Sequence, residues 1–279
     1  MNANFSHIML AVVITSVVST ANATTISPTI YAETYDGGPP GSWCQDVYSG
    51  ANHLPDPVVS QITVSCSDDH FSSVNLQSME IKTLVDATAY AGTGNFAARG
   101  DGRLSDVFRW EDPLATAIAL SINTELNGVI DTTLQAGQAW FQVAQLRYDG
   151  LGREIRDSYL VNEAYNFLSL WSGETNAQGL PIIAINPVFQ FEVDPGMIGL
   201  EITMGLSVYA RPGNIADFSH TAGIELVVPE NLAPLITRNS GLAFENGGGT
   251  DPTSVPSPAT LALFGLGLAG LGWSRRKKA

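Results

Sequence analysis

From Ile198 to Ala210 every second residue is apolar: Ile198, Leu200, Ile202, Met204, Leu206, Val208 and Ala210. Glu201, Thr203, Ser207, Tyr209 and Arg211 stand between and after them. Such alternation places the two sets on opposite faces of an extended strand. Phe189, Phe191 and Val193 repeat it, as do Ile118, Leu120 and Ile122, and then Ile224, Leu226 and Val228 before Pro229. Ile81 to Tyr90 is a weaker instance with many small residues. Strands with one apolar face each must bury those faces together, and two packed sheets do so. The pattern predicts an all-β, antiparallel β-sandwich, jelly-roll-like, with few or no helices. Turns are expected at Asn127-Gly128, Asp149-Gly150, Asp194-Pro195-Gly196 and Arg211-Pro212-Gly213-Asn214. Residues 159–171 fit a helix or a strand equally well.

Composition agrees with this class. Hydrophobic residues make up 44% of the 279 and charged residues 14%, the latter well under the roughly 25% of an average soluble domain. A disordered chain would show the reverse balance. One large β domain fits the length.

Charge is unevenly placed. The chain carries −14, but Arg275, Arg276, Lys277 and Lys278 crowd its end. Residues 24–254 hold nine Lys and Arg against all 27 Asp and Glu, a net −18. A body this acidic repels phosphate backbones, so no nucleic-acid partner is expected. Solubility outside the cell accounts for the acidity.

Both ends read as addresses. Ile8 to Val18 is a mostly apolar run of eleven, too short for the roughly 20 residues that span a bilayer. Small residues at Ala21 and Ala23 follow, a cleavage pattern that places the cut before Thr24. Residues 1–23 are therefore a cleaved signal helix handled by the Sec export machinery. At the other end Val255-Pro256-Ser257-Pro258 forms a rigid extended entry. Ala259 to Trp273 follows without a charge, and the basic cluster closes the chain. About 19 uncharged residues suffice for a single transmembrane helix in a thin bilayer, with the positive cluster kept cytoplasmic. Asn246 to Ser254, rich in Gly, Ser, Thr, Asn and Pro, reads as a flexible linker. The organisation is then 1–23 signal peptide, 24–245 β-sandwich domain, 246–254 linker and 255–279 sorting signal.

The tail resembles the PEP-CTERM sorting signal of Gram-negative bacteria, which the membrane protease exosortase recognises. The family's Val-Pro-Glu-Pro-Ala-Thr-Leu-Ala-Leu is matched at Val255, Pro256, Pro258, Ala259, Thr260, Leu261, Ala262 and Leu263, with Ser257 in place of Glu. The glycine- and leucine-rich stretch Gly265–Gly272 and the basic cluster also match. The resemblance implies transient anchoring in the inner membrane, removal of the tag, delivery to the cell surface or beyond, and a role near extracellular polysaccharide or biofilm matrix. Ala216 to Pro229 more loosely resembles a final strand pair found in proteins bearing this tag.

Cys44 and Cys66 are the only cysteines. In an exported chain such a pair suggests one disulfide, while zinc ligation lacks the needed spacing and histidine partners. His53, His70 and His220 are the histidines beyond the signal. No nucleophile elbow, His-Glu-x-x-His helix or Walker loop accompanies them. Gly92 to Gly102 is glycine-rich but opens no helix, so it reads as a loop and not a phosphate cradle. Asp68-Asp69 and Glu111-Asp112 are acidic pairs of the kind that solvated loops carry. No cofactor is expected, with calcium held by loop oxygens as the alternative.

Three functions follow from these features. The first is a non-enzymatic surface or matrix protein, the expectation adopted here. The second is a lectin-like carbohydrate-binding module using Trp43, Trp110, Trp140 or Trp171. The third is a secreted hydrolase, which would need two convergent carboxylates. The mature protein is expected to begin at Thr24 and to end near residue 258. Intact-mass spectrometry of protein from the envelope or medium checks both ends. Retention of Met1, or of Trp273 with the basic cluster, would defeat the reading.

Overall fold

The computed structural model describes residues 26–35, 43–49, 60–67, 70–88, 98–131, 137–170 and 173–244. The signal peptide with Ala21, Ala23 and Thr24, the linker, and the tail with Val255–Pro258 and Arg275–Lys278 lie outside them. In chain order the strands are β1 (Thr29–Tyr35), β2 (Trp43–Ser49), β3 (Gln61–Ser67), β4 (His70–Asn75), β5 (Glu80–Asp86), β6 (Ala98–Trp110) and β7 (Ile118–Ile130). There follow β8 (Gly137–Tyr148), β9 (Glu154–Asn166), the one-turn helix α1 (Phe167–Leu170), β10 (Ile182–Ile185), β11 (Val188–Val193), β12 (Gly199–Ala210), β13 (Ile215–Val227) and β14 (Ile236–Arg238).

The strands form two antiparallel sheets, the expected all-β class. One has the order β2-β1-β6-β12-β8-β9, with β14 also on β6. The other has the order β10-β7-β13-β5-β4-β3, with β11 also on β7. Alternation does what it must: Leu200, Ile202, Met204, Leu206 and Val208 of β12 are fully buried in one core with Ile81, Val85, Leu120, Ile122, Leu126 and Phe218 of the opposite sheet. Ile198 departs from the expected set. It joins a small separate cluster with Val107 and Leu146, against which Ile26 packs. Residues 159–166 belong to β9, and the only α-helical turn among the described residues comes just after.

Three expected turns form. Asp149 Oδ1 accepts from the backbone N–H groups of Leu151 and Arg153, both at 2.8 Å, which closes the β8–β9 hairpin. Asp194-Pro195-Gly196 turns into β12, and Asn214 N–H donates to Arg211 C=O at 2.9 Å in the β12–β13 turn. Asn127-Gly128 does not turn. It lies inside β7, opposite Ala184 and Ile183 of β10. The reason is packing: a Cβ on Gly128 would sit 2.3 Å from the Phe218 ring. Phe218 in turn stacks on Phe167 of α1 at 4.5 Å between centroids. A residue pair with turn chemistry is here a seat for an aromatic ring.

Two further expectations are corrected. Residues 98–102, read as part of a glycine loop, are the start of β6. Gly100 and Gly102 face the opposite sheet, where a Cβ would come within 2.3 Å of Thr83 Cγ2 and Ile81 Cγ2 respectively. They let the sheets approach closely enough for Ser72 Oγ to donate to the backbone carbonyl of Asp101 at 2.7 Å. Residues 216–227 are not a strand pair but one strand, β13, paired with β5 and β7 and shifted in register between Phe218 and Ala222.

A buried ion pair ties the C-terminal end of the described body to both sheets. Arg238 on β14 meets inward-facing Asp106 on β6 at 2.8 Å, with side chains 3% and 0% exposed. Ser240 Oγ donates to the same carboxylate at 2.6 Å, and Val107 N–H at 2.8 Å. The guanidinium also donates to the carbonyls of Leu76 and Gln77 in the β4–β5 turn of the other sheet. Removing one partner of such a pair leaves an uncompensated buried charge. Arg238→Met is therefore expected to lower unfolding free energy by about 3–5 kcal/mol, read from urea melts. A change under about 1 kcal/mol would mean that the network is dispensable.

Candidate functional site

The outward face of the β2-β1-β6-β12-β8-β9 sheet carries the polar half of each alternating strand. Register aligns these residues into rows across the sheet. Thr29 lies opposite Ser105, Ser105 opposite Thr203, Thr203 opposite Gln142, and Gln142 opposite Asn162. This is an unbroken row of hydroxyl and amide groups on five strands. Thr203 Oγ1 donates to Ser105 Oγ at 3.2 Å, Ser105 Oγ to Glu201 Oε1 at 3.1 Å, and Gln142 Nε2 to Asn162 Oδ1 at 3.0 Å. The next row runs Tyr31, Arg103, Gly205, Trp140 and Ala164.

Gly205 gives this second row its shape. A Cβ there would lie 1.8 Å from Trp140 Cζ2 and 2.1 Å from Cε2. The indole therefore lies directly against the β12 backbone, half-exposed, where any larger residue would push it off. A groove of about 620 Å³ follows these rows, bordered by Tyr31, Trp140 and Tyr159. That volume falls in the range of roughly 300–1,000 Å³ typical of small-ligand sites. Tyr159 is 54% exposed.

Two arginines in the groove are committed to carboxylates. Arg99 donates through Nε and, at 3.0 Å, Nη2 to Asp101. Arg156 donates through Nε and, at 2.7 Å, Nη2 to Glu201. Both are two-point contacts, the strong form of this pair. Each guanidinium is held further above its already high ordinary pKa, chiefly by the hydrogen bond to its carboxylate. Arg99 also lies over the Tyr209 ring at 5.2 Å. Arg103 is exposed and makes no hydrogen bond or ion pair among the described residues.

Of the tryptophans named from sequence, Trp140 alone is placed in this groove. Trp110 is 6% exposed in the core, its Nε1–H donating to Met197 C=O at 2.7 Å. Trp43 sits opposite Tyr35 in the β1–β2 register. Its side chain, like those of Cys44, Cys66 and His220, lies outside what is described, as do Trp171, His53 and Asp68-Asp69. By backbone, Cys44 is on β2 of one sheet and Cys66 on β3 of the other. His70 is buried in β4, and Glu111-Asp112 is exposed between β6 and β7. Sequence reasoning missed Tyr31, Arg99, Asp101, Arg103, Arg156 and Tyr159. The signal was present in Arg99-x-Asp101-x-Arg103-x-Ser105, a period-2 polar set. Its interleaved glycines made it read as a loop.

Residues 254–277 match the family model of the PEP-CTERM protein-sorting motif. The motif implies export and exosortase processing of a membrane-anchored C-terminus. No curated protein matches the chain. Among solved structures, a carbohydrate-binding module specific for non-crystalline cellulose is 13% identical, with a TM-score of 0.23 over 51% of this chain and 80% of that one. The enzymatically active domain of bacteriophage CBA120 tailspike protein 4 is 12% identical, with a TM-score of 0.20 over 73% of this chain and 19% of that one. The structure of infectious bursal disease virus, Gx strain, is 14% identical, with a TM-score of 0.15 over 83% and 66%. None of these likenesses carries an argument about what this chain binds.

Glu33, opposite Asp101 in register, has its pKa raised, first by burial and then by the Asp101 charge, with Arg99 opposing. A raised carboxyl pKa in the folded state means that the folded chain binds more protons between the ordinary and the raised value. Folding is thus weakened by this group above that window, and the penalty vanishes as pH falls through it. Glu33→Gln is expected to raise Tm at pH 7 and to lose the gain near pH 4. Paired calorimetric scans at the two pH values check the sign.

Proposed function

We propose that this chain is an exported, exosortase-sorted protein of the cell surface or extracellular matrix. On this reading its β-sandwich binds extended polysaccharide along the groove and performs no catalysis. The observation that carries the reading is the Trp140 indole laid flat over Gly205, next to an unbroken row of hydroxyl and amide groups. A flat aromatic surface covers the apolar C–H face of a sugar ring, and the polar row supplies hydrogen bonds to its hydroxyls. A row crossing five strands suits a linear chain of sugars better than a single compact metabolite. The sorting motif supports delivery to the place where such polymers lie.

The carboxylates support a binding role over hydrolysis. Asp101 and Glu201 are each engaged by an arginine through two hydrogen bonds. A carboxylate so neutralised is poorly suited to exchange protons with a substrate, which glycoside hydrolysis requires of at least one of its pair. We also read the strand order as jelly-roll-like, because β5 to β8 alternate between the sheets while β12 and β13 insert between them. No cofactor has a part in this function. A disulfide between Cys44 and Cys66 would join the two sheets through β2 and β3.

Affinity electrophoresis of the secreted protein through gels containing soluble polysaccharides tests the proposal. At least one polymer should retard the protein. Trp140→Ala should weaken that retention by about ten-fold or more, as loss of a buried aromatic anchor does. Retention unchanged in Trp140→Ala would remove the groove from the function. Release of reducing ends by the wild-type protein would replace binding with hydrolysis.

A further inference from the structure

The body of this protein is strongly acidic, so a cation within it rarely lacks a counter-charge. Of the nine Lys and Arg in residues 24–254, seven form ion pairs: Lys82, Arg99, Arg109, Arg147, Arg153, Arg156 and Arg238. Arg211 and Arg103 form none among the described residues. Arg211 is exposed at the β12–β13 turn and is not among the residues that line the groove. Arg103 stands at the middle of the groove, with Tyr31 opposite it on β1 and Gly205 opposite it on β12.

The surroundings of Arg103 keep its charge available. Asp101, two residues away on the same face, is occupied by Arg99. Glu201 is occupied by Arg156 and Ser105. Among the groove-lining side chains three guanidinium groups face two carboxylates, with Glu33 beside Asp101 as a further acidic group near Arg99, so the one lining cation without a carboxylate of its own is Arg103. A guanidinium presents paired donors that match a carboxylate in two-point geometry. Beside it, Gly205 has no side chain to compete for that space, and the Trp140 indole lies over its backbone.

We propose that the groove selects acidic polysaccharide, with Arg103 receiving the carboxylate of a uronic-acid unit while Trp140 carries the face of a sugar ring. The proposal rests on the polysaccharide reading above and deepens it by naming the ligand class. The acidic body then contributes to selectivity. It disfavours polyanions over most of its surface, which directs an acidic chain to this groove.

The test compares the secreted, processed protein on polygalacturonate, a polyuronate, with hydroxyethylcellulose, a neutral β-glucan, by affinity electrophoresis and titration calorimetry. Wild-type protein should bind polygalacturonate about 10- to 100-fold more tightly, the range expected of one charge-assisted contact. The preference should shrink as salt rises from 50 to about 500 mM. Arg103→Gln should weaken polygalacturonate binding about ten-fold or more, with a smaller loss on the neutral glucan, so that the preference disappears, while Arg103→Lys should retain part of it. Arg211→Gln, which removes the other unpaired charge, should change nothing. Because Arg103 is exposed and unpartnered, these variants should keep the wild-type Tm, which confirms folding. A full preference in Arg103→Gln, or equal binding of both polymers by the wild type, would overturn the proposal while leaving polysaccharide binding intact. Absence of binding to any polysaccharide would overturn both.

Discussion

A guanidinium with a side chain only 3% exposed must be fully partnered, and Arg238 is. Its partners come from three parts of the chain: Asp106 in the middle of β6, the carbonyls of Leu76 and Gln77 between β4 and β5, and the Ala243 carbonyl near the end of the described body. The Phe108 ring lies 5.2 Å from the guanidinium carbon, and Phe244 meets Phe108 edge-on at 5.8 Å. Apart from this network and the Ser72 hydrogen bond to the Asp101 carbonyl, the two sheets meet largely through non-directional apolar contact, which tolerates sliding. This directional, charged contact specifies how β6 sits relative to the β4–β5 hairpin. β6 is also the strand that displays Arg99, Asp101, Arg103 and Ser105 on its other face. The inner network and the outer groove therefore share one backbone, and a shift in one is felt by the other.

β6 illustrates how a strand can serve two surfaces with opposite demands. Inward, Gly100 and Gly102 remove side chains so that Thr83 and Ile81 of the facing sheet can fill the space. Outward, the residues between them are charged. β12 reverses the arrangement. Its inward residues are large and apolar, while Gly205 on its outward face is empty and receives an indole. The groove floor is thus shaped by an absence on β12 and by charges on β6. Neither strand could form it alone.

The terminal segments and the body solve different problems. The tail resembles nothing in the body: it is apolar, glycine-rich and closed by positive charge, whereas the body is acidic and turn-rich. Handling is written in contiguous sequence because membrane machinery reads extended or helical segments one at a time. Ligand recognition by a sheet face depends instead on residues brought together by register. The groove-lining residues run from Ser27 to Thr203 along the chain.

Much of the class was therefore legible in advance. Alternation at 118–122, 189–193, 198–210 and 224–228 marked real strands, because burying one face of a strand forces period 2 whatever the fold. The sorting motif was legible for a similar reason, since it acts as a linear segment. Other features depended on the partner across the sheet or the core. Asn127-Gly128 has the local chemistry of a turn, yet the Phe218 ring made it a place in a strand. The Gly-Asp-Gly of residues 100–102 has the look of a loop, yet Thr83 and Ile81 made it the start of β6. Trp110 and Trp140 are indistinguishable by type, and only packing put one in the core and the other in the groove. By itself the sequence determined the strand periodicity, the acidic charge and the export and sorting address, each a local or summed property. Tertiary structure alone decided which glycines seat aromatic rings and which arginines among the described residues find carboxylates and which do not, because those outcomes depend on distances between residues far apart in the chain.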